Sequence, residues 1–183
     1  MIETGIKEKG AEYYNNIYKD AEDYKCGFEK SPYYNVWFEL IGFLPEFKQT
    51  LIVDAGCGTG QLLSMLEYYN YTNLVGIDFS DVAIQMANDK TESVVLFNDN
   101  INKIRFKADV IVCTEVLEHI ENDIETVKSW DAKQIILTVP NFPDPAHVRY
   151  FESAGDVGLR YGELFKSYQI LQVEKWFILN GNK

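Results

Sequence analysis

From Leu51 onward, short apolar runs alternate with stretches whose apolar residues recur every three or four positions, the pattern of a mostly parallel sheet with crossover helices. The runs LIVDA (51–55), NLVGI (73–77), VVLF (94–97), DVIVCT (109–114) and QIILTV (134–139) read as strands. Between them, 61–69 and 82–89 read as amphipathic helices, the second capped by Ser80 with Asp81 in its first turn. Asn122 with Glu125 three residues later predicts a capping box on a third helix that buries Ile124 and Val127. Residues 98–108 are too few for a full crossover helix, so a reduced connection is expected there. A short helix near 156–162 and two antiparallel strands, YQILQV and KWFILN, end the pattern. This order predicts an α/β, doubly wound, Rossmann-like fold with antiparallel C-terminal strands.

Residues 1–50 differ, holding 11 of the chain's 26 aromatic side chains. One helix is expected over 8–24. A second should open at Ser31 as N-cap, with Pro32 at its first position, and stop near Pro45. The whole reads as a single domain over 1–183, with a helical cap (1–50) on a core (51–183). Composition, 46% hydrophobic and 25% charged, is that of a globular domain. A net charge of −11 repels polyanions, which makes nucleic acid an unlikely partner and a small molecule the expected substrate. No run approaches the roughly 18–20 apolar residues of a membrane span, so no membrane partner and a cytoplasmic location are expected. Cys26, Cys57 and Cys113 match neither a disulfide framework nor a zinc spacing and read as free thiols. Oligomeric state leaves no mark in the pattern.

The first strand of the core runs into VDAGCGTG, where Gly56, Gly58 and Gly60 let bare backbone approach a ligand. The third glycine follows the first by four residues, whereas the dinucleotide fingerprint needs five. Asp78 ends the second strand 22 residues past Gly56, where a carboxylate accepts hydrogen bonds from ribose hydroxyls. A nucleoside without a required pyrophosphate fits such a loop. At VDAGCGTG, GIDFS, CTEVLEHI and LTVPN, covering about residues 51–141, the chain resembles the class I S-adenosylmethionine-dependent methyltransferases. The resemblance implies that Asp54 and the backbone of Gly56, Cys57 and Gly58 hold the methionine end, with Gly60 and Thr114 also at the cofactor. It further implies that Asp78 binds the ribose, Phe79 flanks the adenine, and Asp99 and Asn100 meet its edge.

Methyl transfer from a sulfonium is an in-line displacement, so the acceptor must be held close and, if a hydroxyl, deprotonated. The fourth strand leads into Glu115-Val-Leu-Glu118-His119; if that turn is helical, 115, 118 and 119 share one face. The fifth leads to His147, the second of two histidines, on the adjacent loop. Glu115, His119 and His147 are therefore the candidate catalytic groups. Glu115, Glu118, His119 and His147 together could hold Mg, Mn or Zn. The ExxEH string resembles that of methyltransferases acting on catechol-like quinone precursors, and that of metal-assisted enzymes methylating the 2′-hydroxyl at an RNA 3′ end. It also occurs in metal-free relatives, where the glutamate lines the cofactor pocket and the histidine faces substrate. Arg149, two residues past His147, is a candidate clamp for an anionic acceptor. Tyr13, Tyr14 and Tyr18 are candidate substrate contacts, because the resemblance places such helices over the cleft. The expected activity is methyl transfer to a small oxygen-bearing or anionic metabolite. The alternatives are a metal-assisted RNA 3′-end 2′-O-methyltransferase and a non-catalytic S-adenosylmethionine-binding module.

Overall fold

The computed structural model describes residues 1–103 and 107–183. Nine strands form: β1 (Ile2–Glu3), β2 (Ile52–Ala55), β3 (Leu74–Asp78), β4 (Val95–Asn98), β5 (Ala108–Thr114), β6 (Ala132–Pro140), β7 (Arg149–Tyr150), β8 (Ser167–Val173) and β9 (Trp176–Asn182). Six α-helices accompany them: α1 (Ala11–Asp20), α2 (Tyr34–Ile41), α3 (Gln61–Tyr68), α4 (Asp81–Lys90), α5 (Asp123–Ser129) and α6 (Ala154–Tyr161).

The large sheet runs β4-β3-β2-β5-β6-β9-β8, parallel through β6 and antiparallel at β9 and β8. This is the doubly wound order the sequence predicts, with each core strand within about two residues of its expected place. Chain direction across the sheet reverses at β2, so a crevice opens at its carboxyl end between the loops after β2, β3 and β5. The central strands are mostly apolar because both faces are covered, whereas the edge strand β4 leaves Val95 and Phe97 exposed. On one face α2 inserts Val36, Trp37 and Leu40 against Ile52, Val110 and Ile136, so the N-terminal region shares the core of the sheet.

Four local features differ from the sequence pattern. The helix expected over 8–24 stops at Asp20, since Ala21 is extended and a 3-10 turn, Glu22–Tyr24, follows. The carbonyls released there are taken by side chains of the glycine-loop region: Thr59 Oγ1 donates to Tyr24 O (2.8 Å), and Gln61 Nε2 to Asp23 O and Cys26 O (both 2.9 Å). Ser31 caps a turn rather than a helix, its Oγ accepting from Tyr33 N–H, and α2 begins only at Tyr34. Asn122 makes no side-chain cap; the capping box lies instead at Ser153 and Asp156, opening α6. The fourth is an addition: the first residues form β1, antiparallel to β7 with Glu3 opposite Arg149. Of the reduced connection over 98–108, Ile101–Lys103 forms one 3-10 turn, and 104–106 lie outside the described residues. No helix among the described residues is long and apolar enough to cross a membrane.

Candidate active site

The glycine loop is shaped by backbone bonds over the end of β3. Gly56 N–H (2.8 Å) and Cys57 N–H (3.0 Å) both donate to Ile77 O. Gly56 has φ +83°, and a Cβ there would stand 2.4 Å from Val116 Cγ2, so only glycine fits. Asp78 receives the Gly58 N–H on one oxygen and the Ser80 N–H on the other, both at 2.9 Å, which fixes its carboxylate at the mouth of the loop. Asp54 is buried beside it, and its Oδ1 has no hydrogen-bond partner among the described residues. Burial, then the neighbouring Asp78, pushes the Asp54 carboxyl up to about 8; burial also raises Asp78 against the backbone bonds that oppose the shift. Two buried carboxylates beside a bare loop fit the cationic end and ribose of S-adenosylmethionine.

The cavity over this loop measures about 330 Å³ and extends to the ends of β5 and β6. Its far wall carries the ExxEH residues, but not on one helical face. Glu115 takes a left-handed backbone (φ +57°), and the following turn, Leu117–His119, is 3-10. Glu115 is thereby directed elsewhere: its carboxylate accepts from Thr138 Oγ1 (2.9 Å) and Trp176 Nε1 (2.7 Å). Burial, offset by these bonds, leaves its carboxyl up at about 7. Glu118, His119 and His147 do converge, each offering a ligand atom within 4.8 Å of the others. The four-residue metal set is corrected to three.

The chemistry of those three is specific. Among the described residues, both oxygens of the fully buried Glu118 lack a hydrogen-bond partner, and burial then Glu115 push its carboxyl well above the ordinary range. His119 Nδ1 lies 3.0 Å from Ala146 O and His147 Nδ1 lies 3.1 Å from Phe142 O. A carbonyl only accepts, so each Nδ1 carries the proton and each Nε2 presents a lone pair. Burial lowers His119 to about 4 and lowers His147 as well, which keeps both imidazoles neutral. A buried carboxylate without partners and two oriented Nε2 atoms fit a divalent cation, with carbonyls behind the imidazoles fixing their tautomers.

Of the other expected residues, Asp54, Gly56, Cys57, Gly58, Asp78, Phe79, Asn100, Thr114, Tyr14 and Tyr18 line the cavity. Tyr14 packs between Phe79 and His119, with ring centroids 5.5 and 5.7 Å away, and its buried hydroxyl has no hydrogen-bond partner among the described residues. Four do not line it. Gly60 sits behind the loop, against Ala87 of α4. Asp99 turns to solvent and pairs with Lys103 at 2.7 Å. Tyr13 faces outward beneath Lys9. Arg149 is buried on the far side of the ExxEH turn, donating to Leu117 O, Ile120 O and Glu121 O, so it clamps no acceptor. Sequence reasoning missed Tyr24, Tyr33, Trp37, Phe142 and Asp144, which also line the cavity. Their only signal was the aromatic density before residue 50 and the closeness of 142 and 144 to His147.

Fold and site together define a class I S-adenosylmethionine-dependent methyltransferase. Residues 32–177 match the family described as methyltransferase domain, and the chain belongs to it. A search of curated protein sequences finds no match. Among solved structures, the chain is similar to magnesium protoporphyrin IX methyltransferase from Synechocystis PCC 6803 with bound SAH: 19% identity, 94% of this chain and 97% of that one, TM-score 0.66. It is similar to the methyltransferase domain of bacterial CtHen1 (18% identity, 81% and 98%, TM-score 0.67). It is also similar to the small RNA methyltransferase HEN1 (20% identity, 80% of this chain and 25% of that one, TM-score 0.65). The last likeness corrects the reading of nucleic acid as an unlikely partner. Net charge describes the whole surface and does not decide what a single cavity admits.

Proposed function

We propose that the chain transfers the methyl group of S-adenosylmethionine to a ribose hydroxyl at an RNA 3′ end, with a divalent cation at Glu118, His119 and His147. The observation that carries this reading is the convergence of those three side chains on the wall of the cofactor cavity. A cation held there would lower the pKa of a hydroxyl and neutralise the charge that develops on its oxygen. The chain's own residues do the rest. Asp78 and the glycine loop hold the cofactor, and His119 and His147, neutral and pinned through Nδ1, stay available as ligands. As the methyl carbon leaves sulfur for oxygen, the hydroxyl gives its proton to solvent water and the sulfonium, taking back the electron pair of the broken S–C bond, becomes a thioether.

A second reading, a small oxygen-bearing metabolite as acceptor, is favoured by the cavity's modest volume and its roof of Tyr14, Tyr18, Tyr24 and Tyr33. Six carboxylates line the space (Glu8, Asp54, Asp78, Glu115, Glu118 and Asp144), with Lys9 the one lysine or arginine among the described lining residues, which argues against an anionic reacting end. The test is labelled cofactor offered to an RNA ending in a free ribose, to the same RNA ending in 2′-deoxyribose, and to a metabolite extract. Label on the first RNA alone supports the proposal. Label only in the extract establishes the second reading.

A further inference from the structure

We infer that Arg149 is a positioning residue that holds the Glu118-His119 turn in register with His147, so that the three ligand atoms meet before any cation arrives; this rests on the metal-assisted reading above. Ala146, Val148 and Arg149, on both sides of His147, are each fastened to 117–121. Ala146 O receives His119 Nδ1–H (3.0 Å), and Val148 N–H donates to Glu118 O (2.8 Å). Arg149 Nη1 donates to Leu117 O (2.8 Å) and Ile120 O (2.5 Å), and Nη2 to Glu121 O (3.2 Å). The guanidinium thus spans the 3-10 turn from its first residue to the two residues beyond it. Leu117 O also accepts the Ile120 N–H that closes the turn (3.3 Å), and Ile120 O and Glu121 O are the carbonyls just beyond it, where the turn has no further N–H to offer.

The guanidinium is itself held from behind. Nε donates to Glu3 Oε1 of β1 at 3.3 Å, and Nη1 lies 3.3 Å from Asp123 Oδ2. Asp123, 1% exposed, is fixed in turn by Arg160 through two nitrogens (2.9 and 2.6 Å) and by the Tyr161 hydroxyl (2.7 Å). The planar fork therefore cannot rotate without losing partners on both sides. Lysine keeps the charge, but one ammonium cannot reach carbonyls spread over 117–121 as well as Glu3 and Asp123. The burial of Arg149 next in sequence to the acceptor loop has its explanation here: it acts on the ligands through the backbone that carries them.

The test uses the full chain, whose only imidazoles are His119 and His147, so a nitrogen-15 NMR spectrum resolves both tautomers without metal. The wild type should show both as Nδ1–H. Arg149→Lys should mix the His119 tautomers and weaken Mn²⁺ binding, measured by calorimetry with Mn²⁺ alone, by about 10- to 100-fold, as expected for partners behind metal ligands. S-adenosylmethionine affinity should stay within about twofold, because among the described residues the hydrogen-bond and ion-pair partners of Arg149 are Glu3, Leu117, Ile120, Glu121 and Asp123, none of them in the glycine loop and none of them Asp54 or Asp78. If Arg149→Lys does not fold, Glu3→Gln, which loosens the same guanidinium from its exposed side, should shift both readouts in the same direction by less. Unchanged tautomers and Mn²⁺ affinity in a folded variant overturn the inference. Failure of the wild type to bind Mn²⁺ while Arg149→Lys still mixes the tautomers overturns the metal reading and leaves the positioning role standing.

Discussion

His119 and His147 stand edge to face with ring centroids 4.8 Å apart, each with its Nδ1 on a backbone carbonyl of the 142–146 segment. One loop thus fixes both imidazoles, and this wall of the cavity is organised by the chain's own backbone.

On the cofactor side, Asp78→Ala should weaken S-adenosylmethionine binding by about 1.5–3 kcal/mol, the range for charge-assisted hydrogen bonds. It also frees the Gly58 and Ser80 N–H groups, so thermal unfolding should be measured beside calorimetry. Unaltered affinity in the folded variant would remove Asp78 from the cofactor site.

Gly60 has a structural assignment. Its φ is +77° and an added Cβ would lie 2.8 Å from Ala87 Cβ and 2.9 Å from Ala87 Cα. Gly60→Ala should therefore destabilise the protein by about 1–3 kcal/mol through overpacking between α3 and α4. A denaturation midpoint equal to the wild type's would contradict this packing role.

The stability of the metal-free protein should fall as pH rises above about 6.5. Asp54 is raised to about 8 and Glu115 to about 7 in the folded state, so there they keep protons that the unfolded chain has released. Each contributes stability that is lost as pH climbs toward its folded value, at most about 1.4 kcal/mol per pH unit. His119 acts in the opposite sense: lowered from 6.5 to about 4, it adds stability as pH rises through that interval and nothing above it. Carboxylates alone remain between pH 6.5 and 8. Melting temperatures over this interval check the sign, and Asp54→Asn should flatten the slope.

The sheet was legible because buried parallel strands leave uninterrupted apolar runs, as at 109–114 and 134–139, and no competing period disturbs them. The glycine loop was legible because close backbone approach and positive φ demand glycine, and the place of Asp78 was legible because it ends an apolar strand run. Glu115 was misjudged because helical spacing assumes helical dihedrals, and its left-handed φ breaks that assumption. Arg149 was misjudged because sequence shows nearness to His147 but not the β1–β7 pairing that turns its side chain inward. The Asn122 cap failed because its backbone (φ −100°, ψ +42°) departs from the extended dihedrals that aim an N-cap side chain at the first turn, which a pattern of polar residues does not reveal.

The most direct test of metal-assisted transfer is turnover of labelled S-adenosylmethionine with an RNA ending in a free 2′,3′-diol, in protein shown metal-free by elemental analysis. The account predicts no transfer until one divalent ion is added, and none in Glu118→Gln at any ion concentration, because a neutral amide at that position removes the cluster's one anionic ligand. Undiminished turnover in the metal-free wild type would contradict it.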